Sequence, residues 1–328
     1  METNYIYSTS RVNTLSQYLL TKTDIERLLV AAPGEELQEA LKETYLAPFL
    51  LRVPEEDMAA AIELTLIEAK RLLHRIAPHG DRFRLLWVQY DLHNLRVFAK
   101  AAARGLPYET AVTYCSERGI YTPAELYHHV SEQTLNRVQP GWQDAYDAAA
   151  RMAAAGQRDA IDGVFDAAYF ATVTRIAFYA RDAFLSRYLR VYIDLYNLRS
   201  RLRMLRHPHL QFTPAFVSGG TFAAAEIDSY DQVVGALAQF GGADWWQAAL
   251  SAYEETGNTT ELDARVDDYL VTLAYQASSD QFSSAALVLY YLRCRQAAAN
   301  VRTIVVGKYS GQPVATIRRN LRLAYVND

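Results

Sequence analysis

Cysteine is almost missing from this chain: its 328 residues hold two, Cys115 and Cys294, far apart and with no CxxC spacing. That argues against a disulfide framework or a thiolate zinc site and fits a reducing compartment. Glycine and proline are also sparse, at 15 and 10, which speaks against collagen-like or disordered character. Long hydrophobic runs do not occur, although 51% of the residues are hydrophobic and a real core can form. Asp166 and Arg175 interrupt one apolar window, and Arg293 and Arg295 another. None approaches the roughly 18–20 apolar residues of a membrane span, so any membrane association is expected to go through a partner. The opening METNYIYSTSR has an early acid and no apolar core and is not expected to be a signal peptide. Net charge is only −4 and the pI about 6.0, which gives no global electrostatic reason to bind nucleic acid. Three catalytic signatures are absent as well: GxxxxGK[ST], GxSxG and HExxH.

What the chain does have is a repeat. YDLHNLR (Tyr90 to Arg96), IDLYNLR (Ile193 to Arg199) and QAAANVR (Gln296 to Arg302) place Asn94, Asn197 and Asn300 at equal spacings of 103 residues. Apolar neighbours keep that offset: Leu85, Tyr188 and Tyr291; Val88, Val191 and Cys294; Leu92, Leu195 and Ala298; Leu95, Leu198 and Val301; Ala99, Leu202 and Val305. Within each copy they step by 3 or 4, the stripe of a packed helix. Gly105-Leu106-Pro107 and Gly311-Gln312-Pro313 stop the first and third of these helices, and the second has Pro208 nearby. Earlier elements recur too. Leu37 to Leu41 matches Trp142 to Tyr146 and Trp246 to Leu250, and Ile161-Asp162 with Asp166 matches Leu262-Asp263 with Asp267.

A period of 103 is too long for a solenoid repeat and long enough for a small helical domain. The reading is therefore all-α, with homologous helical domains over 1–106, 107–209 and 210–328. In the first copy helices are expected near 12–30, 35–49, 55–76 and 81–103, and a last helix of the chain over 313–326.

Charge follows the repeat. Residues 222–268 hold ten acids and one base, whereas 281–327 hold seven bases and no acid. These zones either meet as internal ion pairs at the copy boundaries or present a docking surface to a charged partner. Arg318, Arg319 and Arg322, on the terminal helix with few internal options, are the expected exposed partner contacts.

Candidate chemistry is thin. Asp91 and Asn94 share a helix face, as do Asp194 and Asn197, but Ala297 stands where the third copy would need its acid. A polar network that fixes helix packing explains them better than metal ligation. Asp263, Asp267 and Asp268 lack the spacing of an aspartate-rich magnesium motif. His128 and His129 point to different helix faces, and His207-Pro208-His209 reads as a loop. No catalytic, cofactor-binding or metal-ligating residue is expected.

Several stretches together resemble one family. DLHNLR followed by Lys100, and DLYNLR followed by Arg203, resemble its repeated Asp-x-x-Asn-Leu-[Lys/Arg] helix. Tyr290 to Pro313, with Asn300, Arg302, Gly307, Lys308, Gly311 and Pro313, resembles its C-terminal hallmark, and Ser10 to Leu29 its opening. The family is that of the C (also d, or AC39) subunits of V-type and A-type ATPases. Gln296 to Ala299 depart from it where an acid is usual. The resemblance implies three lobes with pseudo-threefold symmetry forming a funnel. It implies a non-catalytic role on the cytoplasmic side, peripheral to the membrane, coupling the central-shaft subunits to the membrane rotor ring. The motif residues Asp91, Asn94, Arg96, Asp194, Asn197, Arg199, Asn300, Arg302 and Lys308 would then be structural or interfacial. A helical scaffold for other proteins and an all-α enzyme are the alternatives; a closed pocket with convergent carboxylates would mark the enzyme.

Overall fold

The computed structural model describes residues 5–54, 57–207, 216–223 and 226–322. The chain is all-α, with no strand among the described residues. The elements are α1 (Ile6–Ser16), α2 (Lys22–Val30), α3 (Glu35–Lys42), α4 (Ala47–Leu50), α5 (Met58–Ile76), a 3-10 segment (Gly80–Leu86), α6 (Val88–Ala102), α7 (Tyr108–Ala111), a short 3-10 turn (Val112–Tyr114), α8 (Pro123–Ser131), α9 (Leu135–Val138), α10 (Trp142–Ala154), α11 (Arg158–Ala180), α12 (Ala183–Arg206), α13 (Tyr230–Leu237), α14 (Ala243–Thr256), α15 (Thr260–Ala277), α16 (Ala285–Tyr309) and α17 (Val314–Arg319).

Four expected helices are corrected: 35–49 is α3 and α4 with turns between them, 81–103 opens as the 3-10 segment before α6, and the spans 12–30 and 313–326 also differ. The span 12–30 is two helices, because Thr21 is an N-cap. Its hydroxyl accepts from the Asp24 N–H at 3.1 Å, and the Asp24 carboxylate accepts from the Thr21 N–H at 2.9 Å. This reciprocal capping box starts a new helix in mid-pattern. Thr21→Ala is expected to lower stability by about 1 kcal/mol in denaturant melts and to fray α2. The terminal helix ends at Arg319 rather than running to 326, with Asn320 in a turn; residues 323–326 lie outside the described residues. So do Pro208 and His209 of the His-Pro-His run and the expected boundary at 209/210.

Contacts group the chain into two compact units, Met1–Gly80 with Phe240–Asp328, and Asp81–Gln239. In the first, α16 is the hub, packing on α1, α2, α5, α15 and α17. Its first eight residues, 285–292, are all buried, so it is covered on every side there. Beyond Cys294 burial narrows to the side carrying Ala297, Ala298, Val301 and Ile304. In the second unit, α6 packs on α8, α10 and α11, α10 and α11 pack on each other, and α12 packs on α11 and α13.

The motif helices share one feature of this packing. The helix carrying each Asn packs on elements of the following copy: α6 on α7, α8, α10 and α11, α12 on α13, and α16 back on α1, α2 and α5. The apolar stripe read from the sequence is buried in all three, except that Val191 and Val305 are only half-buried. Trp142 and Trp246, at matching places on α10 and α14, are both fully buried. Trp142 donates its indole N–H to the Thr172 hydroxyl at 3.0 Å, and Trp246 to the Phe240 carbonyl at 2.8 Å.

Candidate functional site

The motif helices hold the chain that follows them. Asn94 lies on α6 with no exposed surface. Its Nδ2 donates to the Ser116 carbonyl at 2.9 Å and its Oδ1 accepts from the Ser116 N–H at 2.8 Å. One amide thus satisfies both polar groups of one backbone residue. Asn197 on α12 does the same to Val217, at 2.8 and 2.9 Å. Asn300 on α16 accepts from the Arg322 N–H at 2.8 Å, but its Nδ2 makes no hydrogen bond among the described residues.

The aspartates sit one turn earlier. Asp91 is fully buried and accepts from the N–H groups of Ile120 at 2.9 Å and Tyr121 at 3.1 Å. Asp194 accepts from Thr221 at 2.7 Å and Phe222 at 3.1 Å. A buried carboxylate needs such donors. The incoming backbone must come very close, and in both copies a glycine lets it. A Cβ added at Gly119 would overlap the Asp91 carboxylate, and one at Gly220 the Asp194 carboxylate. Neither glycine was singled out from the sequence, although they stand 28 and 26 residues after their aspartates, close to one repeat apart. The third copy has Ala297, fully buried, in place of the acid.

The basic motif residues join neighbouring helices. Arg96 reaches Asp162 at 3.2 Å and Asp166 at 3.6 Å on α11 and stacks over Phe165; Lys100 reaches Asp162 at 3.7 Å. The Tyr196 hydroxyl donates to the other oxygen of Asp166 at 2.9 Å. Arg199 is half-buried on α12 and Arg302 exposed on α16. Lys308 donates to the Ala31 carbonyl at 2.8 Å, at the C-terminal end of α2, where a cation is favoured. Its neighbour Gly307 receives Ile317 of α17; a Cβ there would lie 2.6 Å from the Ile317 side chain.

The three terminal arginines differ from one another. Arg318 and Arg319 are exposed and Arg322 is half-buried. Arg318 forms a two-pronged pair with Glu26 of α2, holding that carboxyl below its ordinary value, and Arg322 reaches Asp267 at 3.6 Å. Internal ion pairs therefore take up part of the acid-free segment.

Both cysteines are free thiols. Burial pushes Cys115 up to about 11 and Cys294 up to about 12, so neither carries the thiolate that reactivity requires. No metal-holding group of His, Cys, Asp and Glu occurs among the described residues. A groove of about 720 Å³ in the first unit is lined by Tyr18, Tyr45, Phe49 and Tyr290. The carboxylates along it are engaged elsewhere: Asp24 in its capping box, Glu43 with Arg27 at 2.6 Å, and Glu68 with Arg71 at 2.9 Å. No described helix is long and apolar enough to cross a membrane.

These observations define an all-helical repeat protein whose buried polar motif residues brace its own following segments. The family model for the ATP synthase (C/AC39) subunit matches residues 8–320, and the chain belongs to that family. It is 20% identical to the C subunit of a V-type sodium ATPase from Enterococcus hirae over 316 residues, 94% of each chain. Membership places it among the subunits of V-type ATPases, a setting of ion transport and rotary coupling.

Proposed function

We propose that this chain is the non-catalytic central-stalk subunit that couples the shaft of a rotary V/A-type ATPase to the membrane rotor ring. The observation that carries this is a family match spanning nearly the whole chain, with the triply repeated Asn helix inside it. Three lobes related by rotations of roughly 120°, over 1–106, 107–209 and 210–328, would form a funnel whose mouth takes the foot of the shaft and whose narrow end rests on the cytoplasmic side of the ring. The cyclic packing of each motif helix on the next copy supports that reading. Its ion-paired, hydrogen-bonded brackets suit a part that carries torque, because rigid connections transmit rotation without absorbing it. Mixing the purified chain with shaft and ring subunits should give a complex containing all three on native gels. Assembly that proceeds equally well without this chain would overturn the proposal. In calorimetry the isolated chain should show no saturable ATP binding, since it has no phosphate-cradling loop; measurable binding would contradict a purely mechanical role.

A further inference from the structure

The α11–α12 hairpin of the second unit ends in a bare aromatic knob. Phe178 is 76% and Tyr179 74% exposed, adjacent at the end of α11, their rings edge to face with centroids 5.4 Å apart. Large side chains this exposed are a cost in water unless something covers them. The exposed charges of the turn and the first two turns of α12 are all basic. Arg181, which makes the turn in a left-handed conformation, is exposed, as are Arg187 and Arg190 on α12. None of the three arginines forms an ion pair among the described residues. The one acid of the turn, Asp182, is buried and caps α12 by accepting from the Leu185 N–H at 2.9 Å. It is committed to the backbone and leaves the arginines uncompensated.

The third copy gives a contrast. At its corresponding turn Phe282 is exposed too, but an exposed acid, Asp280, stands beside it and accepts from the Phe282 N–H at 2.9 Å, and Arg293 of α16 stacks over Tyr275 of α15. There one arginine is engaged by an aromatic ring of the chain. At the α11–α12 turn the three arginines are left outward.

We infer that the α11–α12 turn contacts anionic lipid headgroups, with Phe178 and Tyr179 entering the interfacial layer and Arg181, Arg187 and Arg190 meeting lipid phosphates. Aromatic rings favour the membrane interface, and arginines close to an anionic leaflet are attracted within about a Debye length. The spacing suits that layer. Arg187 and Arg190 are one turn apart on one face of α12, and at about 1.5 Å per residue the set runs about 13 Å up from Arg181. The nearness of a membrane rests on the function proposed above.

The test is co-sedimentation of the full chain with vesicles of phosphatidylcholine alone and of phosphatidylcholine with phosphatidylglycerol, at low and high salt. Binding is expected only to the phosphatidylglycerol vesicles and is expected to weaken at high salt. Phe178→Ser with Tyr179→Ser should reduce it about tenfold, as should Arg181→Gln, Arg187→Gln and Arg190→Gln together. All five positions are exposed, so the variants should keep the parent's circular dichroism. Failure of the parent to bind phosphatidylglycerol vesicles at low salt, or undiminished binding by both variants, would overturn the inference. Assembly with shaft and ring subunits is measured in parallel in detergent. Variants that lose assembly there, from a parent that ignores vesicles, would assign the turn to an acidic protein surface instead. A parent that binds vesicles but does not assemble would leave the lipid contact standing and remove the stalk function.

Discussion

Gly119→Ala is expected to destabilise the protein by about 1–3 kcal/mol, and most of that loss should disappear when Asp91 is also replaced by alanine. The added Cβ would overlap the Asp91 carboxylate, which is fully buried and cannot move without abandoning the N–H groups of Ile120 and Tyr121. Asp91→Ala alone leaves those two donors unpaired and should itself cost about 2 kcal/mol or more. In the double variant the overlap with the carboxylate is gone, and only the tight approach of 3.0 Å to the Tyr121 carbonyl remains. Urea denaturation of the four proteins measures the cycle. Strict additivity would show that the segment bends around the methyl group elsewhere. The matching pair Gly220 and Asp194 should behave alike.

Replacing Asn94 or Asn197 by the nearly isosteric aspartate should cost at least about 2 kcal/mol. Each asparagine gives one N–H and takes one from a single backbone residue, and an ionised aspartate can only take. The Ser116 or Val217 carbonyl would then face a carboxylate oxygen in a buried site. A proton restores one donor, so this folded-state carboxyl is expected to titrate above its unfolded value. The folded state then binds more protons than the unfolded one as pH falls into that window. The deficit should therefore shrink on acidification and grow as pH rises. Asn300→Asp is the internal control. Its Nδ2 has no partner to lose among the described residues, so it should cost less than either of the others. Thermal melts of the three variants at two pH values give the comparison, and equal losses in all three would mean that the donor bond contributes nothing.

Both results bear on how a helical repeat of this length is stiffened. Apolar stripes place the motif helices against the next copy, but apolar contact is not directional. The Asn and Asp brackets add direction, fixing the loop at residues 116–121 to α6 and that at 217–222 to α12. The third copy uses a different device: Ile317 sits in the notch at Gly307, Arg318 grips Glu26, and Lys308 holds the end of α2. The absence of an acid at Ala297 is thus accompanied by a separate set of ties on α16 and α17.

The helical class, the three motif helices and their buried stripe are all legible in the amino-acid order, because burial on one side of a helix writes itself as steps of 3 and 4. The equal spacing of Asn94, Asn197 and Asn300 is legible for the same reason: a repeat needs no coordinates to be counted. The split of 12–30 at Thr21 was open to reading as well, since Thr-Lys-Thr-Asp carries a capping box, but a continuous apolar pattern runs across it and local pattern alone does not rank the two. What the Asn and Asp side chains do was decided only by tertiary structure. Their partners are backbone N–H and C=O groups 20 to 30 residues away, which every residue type supplies and which therefore leave no mark in sequence. Gly119 and Gly220 are the one trace of that contact, because close backbone approach to a carboxylate excludes a Cβ. The pairing of Arg318 with Glu26 spans 292 residues and depends on α16 returning to α1, α2 and α5, a closure set by packing and not by any local signal.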